Sequence, residues 1–209
     1  MNEVRSGQRR PMGSRFAARV GGFVPGLLLA LSLAACGSSS APESFDLSAS
    51  SVPGAPRAAR RQIVVAEPLA TSPTDSDRIV VRPTPDTLAT LKGAQWVERL
   101  PRLLQTRMVQ SFENAKLSRS VGRPEAKIQA DYSLASEIRR FEIDVAGGEA
   151  IVEISVKLVA EGSGRVVAAQ IFSTRAPGSA NGGAEAAAAL DLALGEALRQ
   201  IVAWTASRL

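Results

Sequence analysis

Residues 128–174 read IQADYSLASEIRRFEIDVAGGEAIVEISVKLVAEGSGRVVAAQIFST. The apolar positions recur with period two, first as Ile128, Ala130, Tyr132, Leu134 and Ile138, then out of phase as Phe141, Ile143 and Val145. Successive strand residues face opposite sides, so a change of phase needs one extra residue; the pattern predicts a β-bulge or bend near Arg139-Arg140. Gly147-Gly148 then supplies a tight turn. Val152, Ile154, Val156 and Leu158 alternate with Glu153, Ser155 and Lys157, a strand with one apolar and one wet face. Gly162-Ser163-Gly164 turns the chain again, into Val166–Thr174. Three strands joined by two short turns make an antiparallel meander.

Upstream, Ile63-Val64-Val65-Ala66 and Arg78–Arg82 are short β-branched runs bounded by loop residues and read as buried strands. Phe45-Asp46-Leu47 opens the first strand, and Thr87–Leu91 forms a further short one after the break at Pro83–Asp86. Leu100, Leu104, Met108 and Phe112 recur every four residues, with Leu103 beside them and Pro101 where a first helical turn accepts it. Val97–Asn114 is therefore a helix that packs one face. The alanine-rich run Ala184–Ser207 carries Leu190, Leu194, Leu198, Ile201 and Thr205 on one stripe and is the second helix. The expected fold is α+β, a two-layer sandwich: a mostly antiparallel sheet of about six strands with two main helices on one face.

Composition closes off many functions. The 209 residues hold no histidine, one cysteine and only 4% aromatics. Histidine-dependent triads, histidine zinc sites, internal disulfides and multi-cysteine metal centres are thereby excluded. The net charge of +5 is no sign of nucleic-acid binding. Residues 1–35 hold five arginines against Glu3, which leaves 20 of the 25 Lys+Arg and 19 of the 20 Asp+Glu to the remainder. A nearly neutral remainder has no basic face to neutralise phosphates.

That basic segment leads into Val20–Leu33, an apolar stretch too short to span a bilayer and of the length of a signal-peptide core. Arg9-Arg10 reads as ordinary charge ahead of that core. Leu33-Ala34-Ala35-Cys36-Gly37 then looks like a bacterial lipobox, in which the cysteine is lipidated and becomes the first mature residue. Gly37, where aspartate would signal inner-membrane retention, leans toward the outer membrane. The organisation expected is a lipoprotein signal peptide over 1–35, a lipidated flexible tether over 36–44 and one domain over 45–209.

Asp131, Glu137, Glu142 and Asp144 crowd one strand and are the candidate catalytic carboxylates. Lys127, Arg139 and Arg140 balance them, and alternating charge reads as a solvated face. No phosphate loop, dinucleotide fingerprint or nucleophile elbow occurs, and Asp75-Ser76-Asp77 lacks the remaining oxygen ligands of a calcium loop. The expectation is a non-enzymatic protein with no cofactor and no metal, which works by binding. Trp204 reads as a packing anchor. Trp96 is both a candidate partner contact and a candidate core residue.

The ordered set Cys36, Phe45-Asp46-Leu47, Ile63-Val64-Val65, Arg78-Ile79-Val80-Val81, Trp96 with Leu100-Pro101 and Leu103-Leu104, and Ile201-Val202-Ala203-Trp204 resembles the ABC-type transport auxiliary lipoprotein family, with PqiC-like members. The resemblance implies a periplasm-facing lipoprotein of the cell envelope that docks an MCE-domain protein served by an ABC permease and ATPase in lipid transport. It also implies homo-oligomers, since some members form rings. The competing reading is a general envelope-assembly scaffold for lipopolysaccharide or outer-membrane protein insertion.

Overall fold

The structure, a computed structural model, describes residues 41–51, 61–116 and 120–209. In chain order the elements are β1 (Glu43–Phe45), β2 (Gln62–Val65), β3 (Arg78–Thr84), β4 (Thr87–Trp96), α1 (Leu100–Asn114), β5 (Ser120–Gly122), a 3-10 turn (Pro124–Ala126), β6 (Tyr132–Asp144), β7 (Glu149–Ala160), β8 (Arg165–Pro177) and α2 (Gly183–Ala206).

β6 organises the sheet. On one side it pairs antiparallel with β7, which pairs antiparallel with β8, as the meander pattern required. On its other side β2 and β3 lie end to end, both parallel to it, with Ile63 opposite Tyr132 and Arg82 opposite Asp144. A bridge between Leu69 and Glu137 fills the gap between them. There the Leu69 N–H donates to the Ser136 carbonyl and the Ile138 N–H to the Leu69 carbonyl, each at 2.8 Å. β4 extends the sheet antiparallel to β3, while β1 adds to β4 and β5 to β2, both parallel.

The sheet of the described residues is thus mixed and eight-stranded, where about six mostly antiparallel strands were expected; the α+β class stands. β5 had no strand pattern of its own, and β1 lies at Glu43–Phe45, two residues before the end of the segment expected to open the fold. β4 runs ten residues to Trp96, twice the short strand expected. β3 also continues through Pro83, and only Pro85-Asp86 forms the turn. The β3–β4 ladder slips between Val81 and Thr84, where a proline without an N–H does least harm.

The phase change in β6 has the cause its sequence indicated. Ile138 faces Ile154 and Arg140 faces Glu153, so Arg139 is the extra residue. Leu134, Ile138, Phe141 and Ile143 consequently all point to the same side and are buried there. Both helices contribute to that single core. α1 buries Leu100, Leu103, Leu104, Met108 and Phe112, and α2 buries Leu190, Leu194, Leu198 and Ile201 among alanines small enough for close approach. The first helix begins at Leu100, so Val97, expected within it, stands outside and exposed.

One close approach fixes how the end of β8 meets α2. The Gly178 N–H donates to the Gly148 carbonyl at 2.9 Å. A Cβ at Gly178 would lie 2.9 Å from the Ala189 Cβ and 3.1 Å from the Ala150 nitrogen, so backbone would have to move. Gly178→Ala should lower stability by about 1–3 kcal/mol in urea unfolding. Gly182→Ala, with open space around it but at the N-cap of α2, should cost no more than about 1 kcal/mol.

Candidate functional site

The described chain begins with a strap that ties the N-terminal side of the molecule into its core. β1 pairs with Ala94–Trp96, and Phe45 rests on the first turn of α2. Gly183 makes room for it, because a Cβ there would sit 2.9 Å from Phe45 Cε2 and 2.7 Å from the Ala94 Cβ. Beyond β1 the strap alternates: Leu47 is buried in the common core while Asp46 and Ser48 bond to the helices. Asp46 Oδ1 accepts from Arg107 of α1 at 2.5 Å and from the Leu47 N–H at 2.8 Å. Partial burial pushes the Asp46 carboxyl up, but these two donors and the Arg107 charge outweigh it and hold its pKa below the ordinary value.

The Ser48 N–H donates to Asp191 of α2 at 2.6 Å. Ser50 completes the crossing: its N–H donates to Ser111 Oγ of α1 at 2.9 Å, and its hydroxyl donates to the Gly195 carbonyl of α2 at 3.1 Å. A load applied at the N-terminal end of the domain therefore enters both helices and the sheet together. The expected lipidation site Cys36, the signal segment 1–35 and the tether up to residue 40 lie outside the described residues. Leu47→Ala should destabilise the domain by about 2–5 kcal/mol in equilibrium unfolding, as a core leucine does.

The side of the sheet away from the helices carries the charge. Glu142 is 3% exposed there, held by two guanidinium groups. Arg82 donates to its two oxygens at 2.8 and 3.1 Å, and Arg140 donates to Oε1 through Nε at 2.8 Å. Burial pushes the Glu142 carboxyl up, but the hydrogen bonds and charges of Arg82 and Arg140 together bring it below the ordinary glutamate range.

The other candidate carboxylates have separate duties. Asp131 accepts from the Gln62 N–H at 2.8 Å and so closes the start of β2 onto β6. Asp144 accepts from the Gly147 N–H at 3.1 Å and braces the β6–β7 turn. Glu137 is exposed beside the Leu69 bridge. None is paired with another for acid–base work, and no group of three or more acidic or thiol side chains among the described residues is placed to hold a metal.

Trp96 is 1% exposed and meets Phe141 edge to face at 5.8 Å. Its indole has no surface to offer a partner, and of its two sequence readings the core role is the one the structure assigns. Val97, 53% exposed, is the apolar side chain that this corner presents. Trp204 packs edge to face on Phe172 at 5.7 Å, with Arg208 over its ring.

Two clefts lie near the start of β6. One of about 850 Å³ separates α1 from β5 and the 3-10 turn and is largely polar, with Arg123 donating to Thr106 Oγ1 across it at 2.6 Å. The other, about 610 Å³, is lined by Val64, Ala66, Ile128 and Ala130 with Ser133. Sequence reading singled out neither, because their walls come together only when β2, β5 and β6 align.

A family model described as ABC-type transport auxiliary lipoprotein component matches residues 45–202, from Phe45 of the strap almost to the end of α2. The chain belongs to this family. An uncharacterised protein of Bradyrhizobium diazoefficiens is 31% identical over 144 residues, 68% of this chain and 39% of its own. The chain thus spans well under half the length of that curated relative. A crystal structure of a Xanthomonas campestris protein of the DUF330 family is 34% identical, with a TM-score of 0.71 over 79% of this chain and 95% of that one. A second crystal structure, 14% identical with a TM-score of 0.58 over 76% of this chain and 97% of that one, shares the fold. The family is one of lipoproteins that accompany a transporter, and among the described residues no helix is long and apolar enough to cross a membrane.

The Glu142 network sets an acid limit on the domain. A carboxylate with a lowered folded pKa contributes stability that is full above its unfolded pKa and is lost as the pH falls through the folded one. The unfolding midpoint should therefore drop as the pH is lowered below about 4, the ordinary glutamate range. Glu142→Gln should lose roughly 1–3 kcal/mol at neutral pH and flatten that acid dependence in pH-resolved urea melts.

Proposed function

We propose that this protein is a periplasm-facing lipoprotein, fastened through Cys36 to the outer membrane, which docks the MCE-domain protein of an ABC-type lipid transport system and has no catalytic role of its own. The observation that carries the reading is the family match beginning at Phe45, nine residues after the chain's only cysteine. Permease and ATPase belong to other chains in this scheme. The contribution of this chain is position, since an anchored domain meets its partner at an effective concentration far above that of a free one.

The strap supports the reading mechanically. A lipidated residue a few positions upstream holds a domain only as firmly as the connecting segment is held, and Phe45–Ser50 is bonded to both helices. One acyl chain binds a membrane marginally, so stable attachment requires a multiply acylated Cys36.

Cys36→Ala should abolish palmitate labelling and move the protein from the membrane to the soluble fraction, while its unfolding midpoint stays that of the wild type. Wild-type protein solubilised from membranes should carry the MCE-domain protein with it. A full-length pulldown that recovers an outer-membrane barrel instead would replace this reading with that of an assembly scaffold.

A further inference from the structure

The sheet ends very differently on its two sides. β1 and β5 are three-residue strands, and the uncovered part of β4 is interrupted by a wide ladder irregularity with Lys92 and Gly93, the latter at φ +72°. Natural sheets protect their margins with such short, bulged, charged strands. β8 is the exception. It spans thirteen residues and pairs only with β7, so its outer edge is unpaired along its length among the described residues.

The side chains along that edge are apolar where a protected strand would be charged. From Val166 to Thr174 β8 carries no charge, and Val166, Val167 and Ile171 are about half exposed. Val166 also ends a row that crosses the wet face: it stands opposite Val159, which stands opposite Ser133, which stands opposite Val64. A strand added beyond β8 would prolong this row by one side chain, and an apolar residue fits there. Two basic groups lie along the same segment, one at its start and one beside its middle. Arg165 opens the strand and Lys157 faces Ala169 from β7, and neither has an ion-pair partner among the described residues, whereas Arg175 already holds Glu149 at 2.7 Å.

We infer that the free edge of β8, over Arg165–Ile171, receives an extended segment of a partner protein that carries β-branched residues and terminal carboxylates. Backbone hydrogen bonds to the edge supply affinity, Val166 and Ile171 select apolar side chains, and Arg165 with Lys157 select acidic ends. A second copy of this chain is a poor occupant. β8 contains two arginines and no acid, and full-length antiparallel pairing about Gln170 sets Arg165 against Arg175. The inference rests on the reading above that the domain works by docking a protein, and it names the surface and the chemistry of the docked segment.

Full-length protein in detergent is titrated into fluorescent nine-residue peptides, EVTVTVTVE and its lysine-ended counterpart KVTVTVTVK, and followed by anisotropy. The acid-ended peptide should bind about tenfold more tightly, and Lys157→Glu/Arg165→Glu should invert that order. Ile171→Lys should weaken both peptides; Val166→Lys replaces it if its thermal melt departs from wild type. Failure of the acid-ended peptide to bind, equal binding of the two, or self-association of the peptide-free protein that Ile171→Lys abolishes would each overturn the inference. Pulldown separates it from the transport reading: if Lys157→Glu/Arg165→Glu recovers the MCE-domain protein as well as wild type does, the edge assignment falls while the docking role stands.

Discussion

The ladder of backbone hydrogen bonds along both sides of β6 is what the rest of the structure depends on. One thirteen-residue strand carries β7 on one flank and, on the other, β2, the Leu69 bridge and β3 in succession. Because β2 and β3 share this flank, the loop between them has no freedom to swing away, and the Leu69 bridge bonds satisfy backbone groups of β6 that would otherwise be orphaned. The bulge at Arg139 is part of the same device. With it, Ile138 and Phe141 both reach the core, and Arg140 and Glu142 both reach the opposite face. Without it, half the strand would turn its apolar side to water.

Two faces of this sheet have different physical characters, and the division bears on function. The inner face is a dry core shared with two helices and closed by Leu47 of the strap. The outer face holds the local pairings Arg82–Glu142–Arg140 and Arg175–Glu149, and at the β8 margin apolar side chains stand beside Lys157 and Arg165, which have no ion-pair partner among the described residues. The strap joins the sheet at β4 and bonds to both helices, so it and the β8 edge use different elements of the molecule.

Much of this was legible from periodicity. Phe141 and Ile143 out of phase with Leu134 announced the bulge, the glycines at 147, 148, 162 and 164 announced both turns, and the stripes of Leu100–Phe112 and Leu190–Ile201 announced two one-sided helices. The lone Cys36 behind an apolar run and the ordered set of short motifs pointed to the lipoprotein family that the match over 45–202 shows. Less could be read where a strand borrows its regularity from a neighbour. Ser120–Gly122 has no pattern of its own and is a strand only because β2 lies beside it. Trp96 suited the core and, less well, a partner surface, since an aromatic side chain occurs in both, and its packing on Phe141 places it in the core.

By itself the sequence determined the three meander strands, the two helices and the apolar side of each, and that histidine and multi-cysteine chemistry is closed to this chain. These follow from local repeats of two and of nearly four residues, which act within a single element. The parallel direction of β2 and β3 and their end-to-end placement along β6, the burial of Glu142 between two arginines and the exposed margin of β8 were decided only in the tertiary structure. Each depends on residues tens of positions apart meeting in space, and a repeating pattern states that a side must be covered without stating what covers it.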